Sequence, residues 1–272
     1  MANGTKIKIC GIRRAEDCTY INEAMPDYAG FIFWDKSFRY VDDEKAAGLR
    51  QLIDPRIVTV GVFVNENAER IAEIAASGTI NVVQLHGAED AEYVSELRSL
   101  LAPGTEIWKA FKIRSIDDVD AAMSFDADRV LLDNGYGTGQ CFDHSLLEGI
   151  GAAKTSSDVT ASDTAEISAS DGRKNISDGD VPVSEKNAAN DTKYRRHCGN
   201  HENVNGGRIF RTSDSMRHNE YILAGGLTPE NIGEAISKYH PYMIDISSGV
   251  ETDGCEDREK IMRAVAACRS LK

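Results

Sequence analysis

The sequence predicts an α/β fold, a single (β/α)8 TIM barrel that carries one long disordered insertion, and three observations predict it. Short apolar runs rich in β-branched residues alternate with stretches of helical periodicity along most of the 272 residues. Runs such as 58–64 are apolar almost without a break, which suits parallel strands buried on both faces. The alternation amounts to eight strand–helix units, enough to close a barrel rather than leave a doubly wound open sheet.

Taken in order, strands are expected at residues 6–12, 29–34, 57–64, 80–86, 106–112 and 129–133. Helical periodicity falls between them at 14–25, 43–53, 67–77, 91–101 and 115–124, and a sixth helix should follow strand six. The pattern then breaks. Residues 152–218 are rich in Ser, Asp, Asn, Gly and Lys, with Tyr194 and Phe210 as their aromatics. Such a composition buries too little apolar surface to offset the entropy of ordering the chain, so disorder is expected. The alternation resumes with strand 221–224, helix 229–238, strand 243–246 and helix 256–270. The expected organisation is therefore one barrel domain made of residues 1–151 and 219–272, with a low-complexity insertion, 152–218, between helix six and strand seven. A helix-to-strand connection lies on the N-terminal face of a barrel, away from the face where sites are built, so the insertion can leave chemistry intact.

Charge and composition exclude several classes. The formal charge is −13, and acidic and basic residues balance within 152–218, so the barrel carries all of it. No net basic field draws in a nucleic-acid backbone or an anionic membrane. No apolar run is long enough to span a bilayer, and the N-terminus lacks the pattern of a signal peptide, so the cytoplasm is expected. The six cysteines are scattered without a CxxC pair and read as reduced thiols. His197, Cys198 and His201 form an isolated cluster, but a disordered tract offers no scaffold for the three or four ligands a metal needs. Oligomeric state is left open.

Barrel chemistry gathers at the C-terminal ends of strands and in the loops beyond them. Cys10 ends strand one, Arg39 follows strand two, Gln84 and His86 close strand four, and Asp133 ends strand six before the run Gly135-Tyr-Gly-Thr-Gly139. Gly225 and Gly226 follow strand seven, and Asp245 with Ser247, Ser248 and Gly249 closes strand eight. Each also has an ordinary reading. Cys10 can be a packing residue, Asp133 an Asx cap of its turn, Arg39 a surface arginine, and His86 a hydrogen-bonded structural imidazole. The glycines after strands seven and eight can be plain tight turns, or the phosphate cradle that barrels place there.

These motifs, in this order, resemble the phosphoribosylanthranilate isomerase family. The resemblance is carried by Lys8-Ile-Cys-Gly-Ile12, by Gly30-Phe-Ile-Phe with Lys36-Ser-Phe-Arg-Tyr-Val41, and by Val60-Gly-Val-Phe-Val-Asn65. It continues through Val83-Gln-Leu-His-Gly87, Leu131-Leu-Asp133, Ala224-Gly-Gly-Leu-Thr-Pro-Glu-Asn231 and Asp245-Ile-Ser-Ser-Gly-Val-Glu251, and covers everything except the insertion. It implies an Amadori rearrangement of N-(5-phosphoribosyl)anthranilate to 1-(2-carboxyphenylamino)-1-deoxyribulose 5-phosphate in tryptophan biosynthesis. By the resemblance Asp133 is the acid and Cys10 the base, Arg39 binds the anthranilate carboxylate, and Gly226, Ser248 and Gly249 hold the phosphate while Asp245 touches the substrate. No cofactor or metal is implied, because the reaction is an internal redox shuffle; the partner is the small phosphosugar–anthranilate substrate. The acid calls for an Asp133 pKa raised by its setting, and the base for a Cys10 pKa lowered by nearby positive charge.

The chain departs from the family pattern at Trp34 and Asp35, usually Tyr and Pro, in loop six at Tyr136, Gln140, Cys141 and His144, and at Glu256-Asp257, usually Lys-Asp. Other phosphosugar barrels fit less well. An epimerase needs metal-binding His and Asp residues at strand ends, where only His86 qualifies, and a histidine-pathway isomerase needs an aspartate where strand one ends in Cys10. A non-catalytic barrel would have lost Cys10, Asp133 or Arg39, and all are present.

Overall fold

The structure, a computed structural model, describes residues 4–133 and 221–271. Eight parallel strands close into one barrel in sequence order: β1 (Lys6–Cys10), β2 (Tyr28–Ile32), β3 (Val58–Phe63), β4 (Val82–Leu85), β5 (Glu106–Lys112), β6 (Arg129–Asp133), β7 (Tyr221–Leu223) and β8 (Met243–Ile246). Helices α1 (Ala15–Ala24), α2 (Asp43–Leu52), α3 (Ala68–Ala76), α4 (Ala91–Leu100) and α5 (Ile116–Met123) follow the first five strands. Helices α6 (Ile232–Tyr239) and α7 (Arg258–Arg269) follow the last two. The expected helix after β6, its glycine-rich loop and the insertion 152–218 lie outside the described residues. Even so, β6 and β7 pair directly in parallel, Val130 opposite Tyr221, so closure does not wait on what connects them. No helix among the described residues is long and apolar enough to cross a membrane.

Strand alternation divides the apolar residues between two cores. One set, including Ile7, Ile9, Phe31, Phe63, Leu85 and Ile107, faces outward and packs beneath the helices. The other, including Val60, Val82, Leu131, Ile222 and Met243, fills the lumen around Tyr28 and Trp108. These two rings meet edge to face with centroids 5.2 Å apart, and Trp108 donates its indole N–H to Glu106 at 2.7 Å. The lumen is thus a packed plug, and the open space sits above it at the C-terminal ends of the strands.

The helices begin where short acceptors cap free backbone donors: Asp42 accepts from Lys45, Asn67 from Arg70, Asp90 from Tyr93, Ser115 from Asp118 and Asp257 from Lys260. Two helix starts fall later than the periodicity predicts. α6 begins at Ile232 rather than Pro229, because residues 228–231 form a turn in which Thr228 N–H donates to Asn231 Oδ1 at 2.8 Å. α7 begins at Arg258 rather than Glu256, because β9 (Glu251–Thr252) and β10 (Cys255–Glu256) pair as an antiparallel ribbon. Its turn is Asp253-Gly254, both at positive φ (52° and 72°), the backbone that a two-residue hairpin demands. Cys10, Cys18 and Cys255 carry free thiols, and the Cys268 thiol donates to the Thr5 carbonyl.

Removing the largest ring from the lumen leaves a cavity that the surrounding strands cannot collapse into. Trp108→Ala should therefore lower stability by about 3–5 kcal/mol, read by urea unfolding followed by circular dichroism.

Candidate active site

The C-terminal ends of the strands surround an open cavity of about 960 Å³, within the usual range for a small-molecule site. Its wall brings together residues from all eight strands or the loops that follow them. Cys10, Gln84, Asp133 and Asp245 contribute from β1, β4, β6 and β8, with Arg39 and His86 from the loops after β2 and β4. Gly225, Gly226, Ser247 and Ser248 complete the expected set. Gly249 is the exception: it is not in the wall, and a Cβ there would stand 1.9 Å from the Leu227 carbonyl oxygen. The glycine is required because the turns after β7 and β8 pack backbone to backbone.

Those two turns form the cradle. Gly225 and Gly226 take φ of 86° and 66°, conformations that other residues rarely adopt, and Asn231 clamps the turn by donating to the Gly226 carbonyl at 2.9 Å. Opposite, Ser248–Val250 form one turn of 3-10 helix directly after β8. The Ser247 hydroxyl is buried with no partner among the described residues. A pair of turns with this build presents backbone N–H groups and a hydroxyl to an anion.

One side of the cavity is polar and linked. The Gln84 amide nitrogen lies 3.3 Å from His86 Nδ1, and His86 Nε2 lies 3.4 Å from Asp133 Oδ2. The Gln84 carbonyl oxygen is buried and has no partner among the described residues. The loop bearing His86 is braced from below by Glu89, which accepts from the Gly87 N–H at 2.9 Å and the Asn65 N–H at 2.7 Å. Lys109 ties the same brace to β5, reaching Glu89 at 3.1 Å and the Gly87 carbonyl at 2.8 Å.

The other side is built around Cys10. Burial pushes its thiol up to about 11, against the expectation of a lowered value; Lys8 opposes that push, Asp245 adds to it, and Arg39 opposes it more weakly. Lys8 stands on the same inward face of β1 and bonds Asp245 at 2.8 Å. Burial would pull the lysine down, but Asp245 and the Cys10 sulfur outweigh it, so it stays a charged ammonium. Burial lifts the Asp245 carboxyl above its ordinary range, with Lys8 opposing. Gly30, directly beside Cys10 in the β1–β2 register, lets both side chains lie flat on the neighbouring strand.

Arg39 is not a surface residue. It is 9% exposed, stacks over the Phe38 ring at 4.1 Å, and is gripped by both oxygens of Glu251 through Nε and Nη2. That edge of the guanidinium is taken by the carboxylate, and Arg39 lines the cavity. Gly11, at φ 117°, makes room for it, since a Cβ there would meet Arg39 Cδ at 2.8 Å. Close by, Glu256 is buried, and neither oxygen has a hydrogen-bond partner among the described residues. Burial, then Glu251 and Asp17, hold its carboxyl well above the usual range.

Sequence reasoning missed Lys8, Glu251, Lys109, Glu89 and Glu256. Lys8 and Lys109 had a visible signal, each a charged residue inside a largely apolar strand, Lys8 on the inward face of β1. Glu251, Glu89 and Glu256 lie in loops or at a strand end and carried no such mark.

The fold and its mouth define the class first: a (β/α)8 barrel whose cavity at the C-terminal ends of the strands is lined by ionisable side chains and by glycine turns, the arrangement of a barrel enzyme. Comparison with known proteins narrows it. Residues 7–161 and 198–267 match the family described as N-(5′-phosphoribosyl)anthranilate (PRA) isomerase, leaving 162–197 unmatched. An N-(5′-phosphoribosyl)anthranilate isomerase of Acetivibrio thermocellus is 35% identical, over 94% of this chain and 92% of that protein. The phosphoribosylanthranilate isomerase of Thermotoga maritima superposes with a TM-score of 0.68 at 26% identity, covering 98% of this chain and 100% of that one. A phosphoribosylanthranilate isomerase solved with reduced 1-(o-carboxyphenylamino)-1-deoxyribulose 5-phosphate does so with a TM-score of 0.66, also at 26% identity, with the same coverage. The chain belongs to the N-(5′-phosphoribosyl)anthranilate isomerase family, and its activity is that family's aldose–ketose isomerisation in tryptophan biosynthesis.

A methyl group on the neighbouring strand should displace the thiol. Because the added Cβ in Gly30→Ala would come within 2.8 Å of the Cys10 sulfur, steady-state kinetics should show kcat falling by roughly tenfold to a hundredfold in a protein that stays folded.

Proposed function

We propose that Cys10 and Asp133 carry the isomerisation as base and acid, on a substrate held by Arg39 at one end and by the glycine cradle at the other. The observation that carries this reading is that a thiol and a carboxyl from β1 and β6 open into one cavity, between an arginine and a pair of anion-binding turns. Asp133 gives a proton to the ribose ring oxygen, the C1–O bond breaks, and the nitrogen lone pair forms a C=N bond. Cys10, as thiolate, takes the proton from C2. The C2–H electron pair becomes a C1=C2 double bond, the C=N pair returns to nitrogen, and the enolamine tautomerises to the ketose. His86 lies beside Asp133 and orients its carboxyl, with Gln84 behind it.

Arg39 receives the anthranilate carboxylate on the edge that Glu251 leaves open, and Glu251 fixes the plane in which that edge lies. The phosphate sits between the Gly225–Gly226 turn and the turn of Ser247 and Ser248, with Gly249 holding the two together. Asp245 Oδ1, buried and without a partner among the described residues, accepts a substrate hydroxyl. We further propose that residues 1–151 and 219–272 are the catalytic domain. The pairing of β6 with β7 and the family match that skips 162–197 support this division.

Cys10→Ala and Asp133→Asn should each lower kcat by roughly 10²–10⁴-fold in a fluorescence assay of phosphoribosylanthranilate consumption; turnover retained by both would remove the assignment. Deleting 156–214 should leave kcat/KM within about threefold, as for a connection on the face opposite the site, and loss of activity on deletion would show that the segment belongs to the catalytic unit.

A further inference from the structure

Lys8 sits directly below Cys10 in the wall of the barrel and has no exposure to solvent. Its ammonium bonds Asp245 Oδ2 at 2.8 Å, and the two residues are register partners across the seam where β1 meets β8. A Cβ added to Gly30 would stand 2.8 Å from the Cys10 sulfur and 3.2 Å from Lys8 Cε, so the thiol and the lysine stem rest on the same bare backbone position. An ammonium and a carboxylate taken out of water lose hydration that their mutual attraction only partly returns, and an apolar pair of similar volume serves stability as well or better. The pair therefore needs a reason beyond stability. The carboxylate is also only half used: Asp245 lines the cavity and its Oδ1 has no partner among the described residues.

We propose that Lys8 is a positioning residue for the reaction: the counter-ion that stabilises Cys10 as a thiolate, held in place by Asp245. The inference rests on reading Cys10 as the base. When the thiolate takes the C2 proton, the sulfur becomes a neutral thiol and the freed electron pair enters the C1=C2 bond. The ammonium keeps its three protons throughout and makes no covalent bond. Its contribution is to offset the negative charge that burial opposes, and among the groups countering that burial Lys8 acts most strongly, ahead of Arg39. A substrate hydroxyl donated to Asp245 Oδ1 draws carboxylate charge away from the ammonium and strengthens its hold on the sulfur. Thiolate formation is thereby tied to an occupied site.

A double-mutant cycle tests the dependence of one residue on the other. Turnover is measured for Lys8→Met, Cys10→Ala and the two combined, each checked for folding by circular dichroism. Lys8→Met should lower kcat by roughly 10²-fold with KM little changed, as removal of a charge-stabilising donor does. The same substitution should cost less than about threefold in the Cys10→Ala background, where no thiolate remains to stabilise. Equal losses in both backgrounds, or full activity of Lys8→Met, would overturn the proposal while leaving Cys10 as base. Undiminished turnover by Cys10→Ala would instead overturn the reading of Cys10, and the proposal with it. Should Lys8→Met fail to fold, Lys8→Gln, which removes the charge but keeps a donor toward Asp245, is compared with and without Cys10→Ala under the same criteria.

Discussion

The site depends on one constraint, the closure of the sheet between its first and last strands. β1 and β8 are joined by parallel pairing that sets Lys8 opposite Asp245, and the ion pair between them spans that seam. Residues 237 positions apart in the chain thus become neighbours. The same register puts Cys10 at the rim of β1, and the turn of Ser247 and Ser248 just past β8. The Cys10 thiol, its charged neighbour and one of the two turns at the cavity mouth are held by a single strand pair. Breaking that pair would open the barrel and disperse the chemistry together.

The two sides of the cavity differ in how they treat charge. Around Cys10, burial dominates, and the electrostatics are set by two cations and one anion packed at close range. Among the described residues Asp133 is met by the partly exposed imidazole of His86, with the amide of Gln84 behind it. On the proposed reading, a base and an acid in unlike settings facing one space can both take and give a proton. The loops that hold these groups are themselves braced by buried charge. Glu89 and Lys109 lock the turn below His86, and Glu251 locks Arg39. Buried pairs of this sort add little net stability, and their effect here is to fix side-chain direction.

Much of this was legible in the sequence, for physical reasons that can be named. Strand order and type follow from apolar period and β-branching, which is why β5, β6 and β8 fall on the expected residues. Strand-end position alone singled out Cys10, Arg39, His86 and Asp133, since barrel topology fixes which end of a strand faces the site. What escaped was whatever depends on contacts between distant loops. Nothing near Arg39 announces Glu251, and nothing near Gly249 announces the Leu227 carbonyl that excludes a side chain there. The thiol was expected to be lowered by positive charge; that charge exists in Lys8 and Arg39, but the depth of burial that outweighs it is a property of the closed barrel. The Asp253-Gly254 turn was readable, but Glu256, which closes its hairpin, was assigned to the start of the last helix.

The central claim is that one ribose ring lies between a thiol and a carboxyl across the mouth of the barrel. A crystal structure of this chain with reduced 1-(o-carboxyphenylamino)-1-deoxyribulose 5-phosphate tests it most directly. The account predicts the Cys10 sulfur and an Asp133 oxygen on either side of the sugar chain, the sulfur about 3–3.5 Å from C2, with the phosphate at Gly226 and Ser248. A ligand bound with its sugar carbons out of reach of Cys10 or of Asp133 would contradict it.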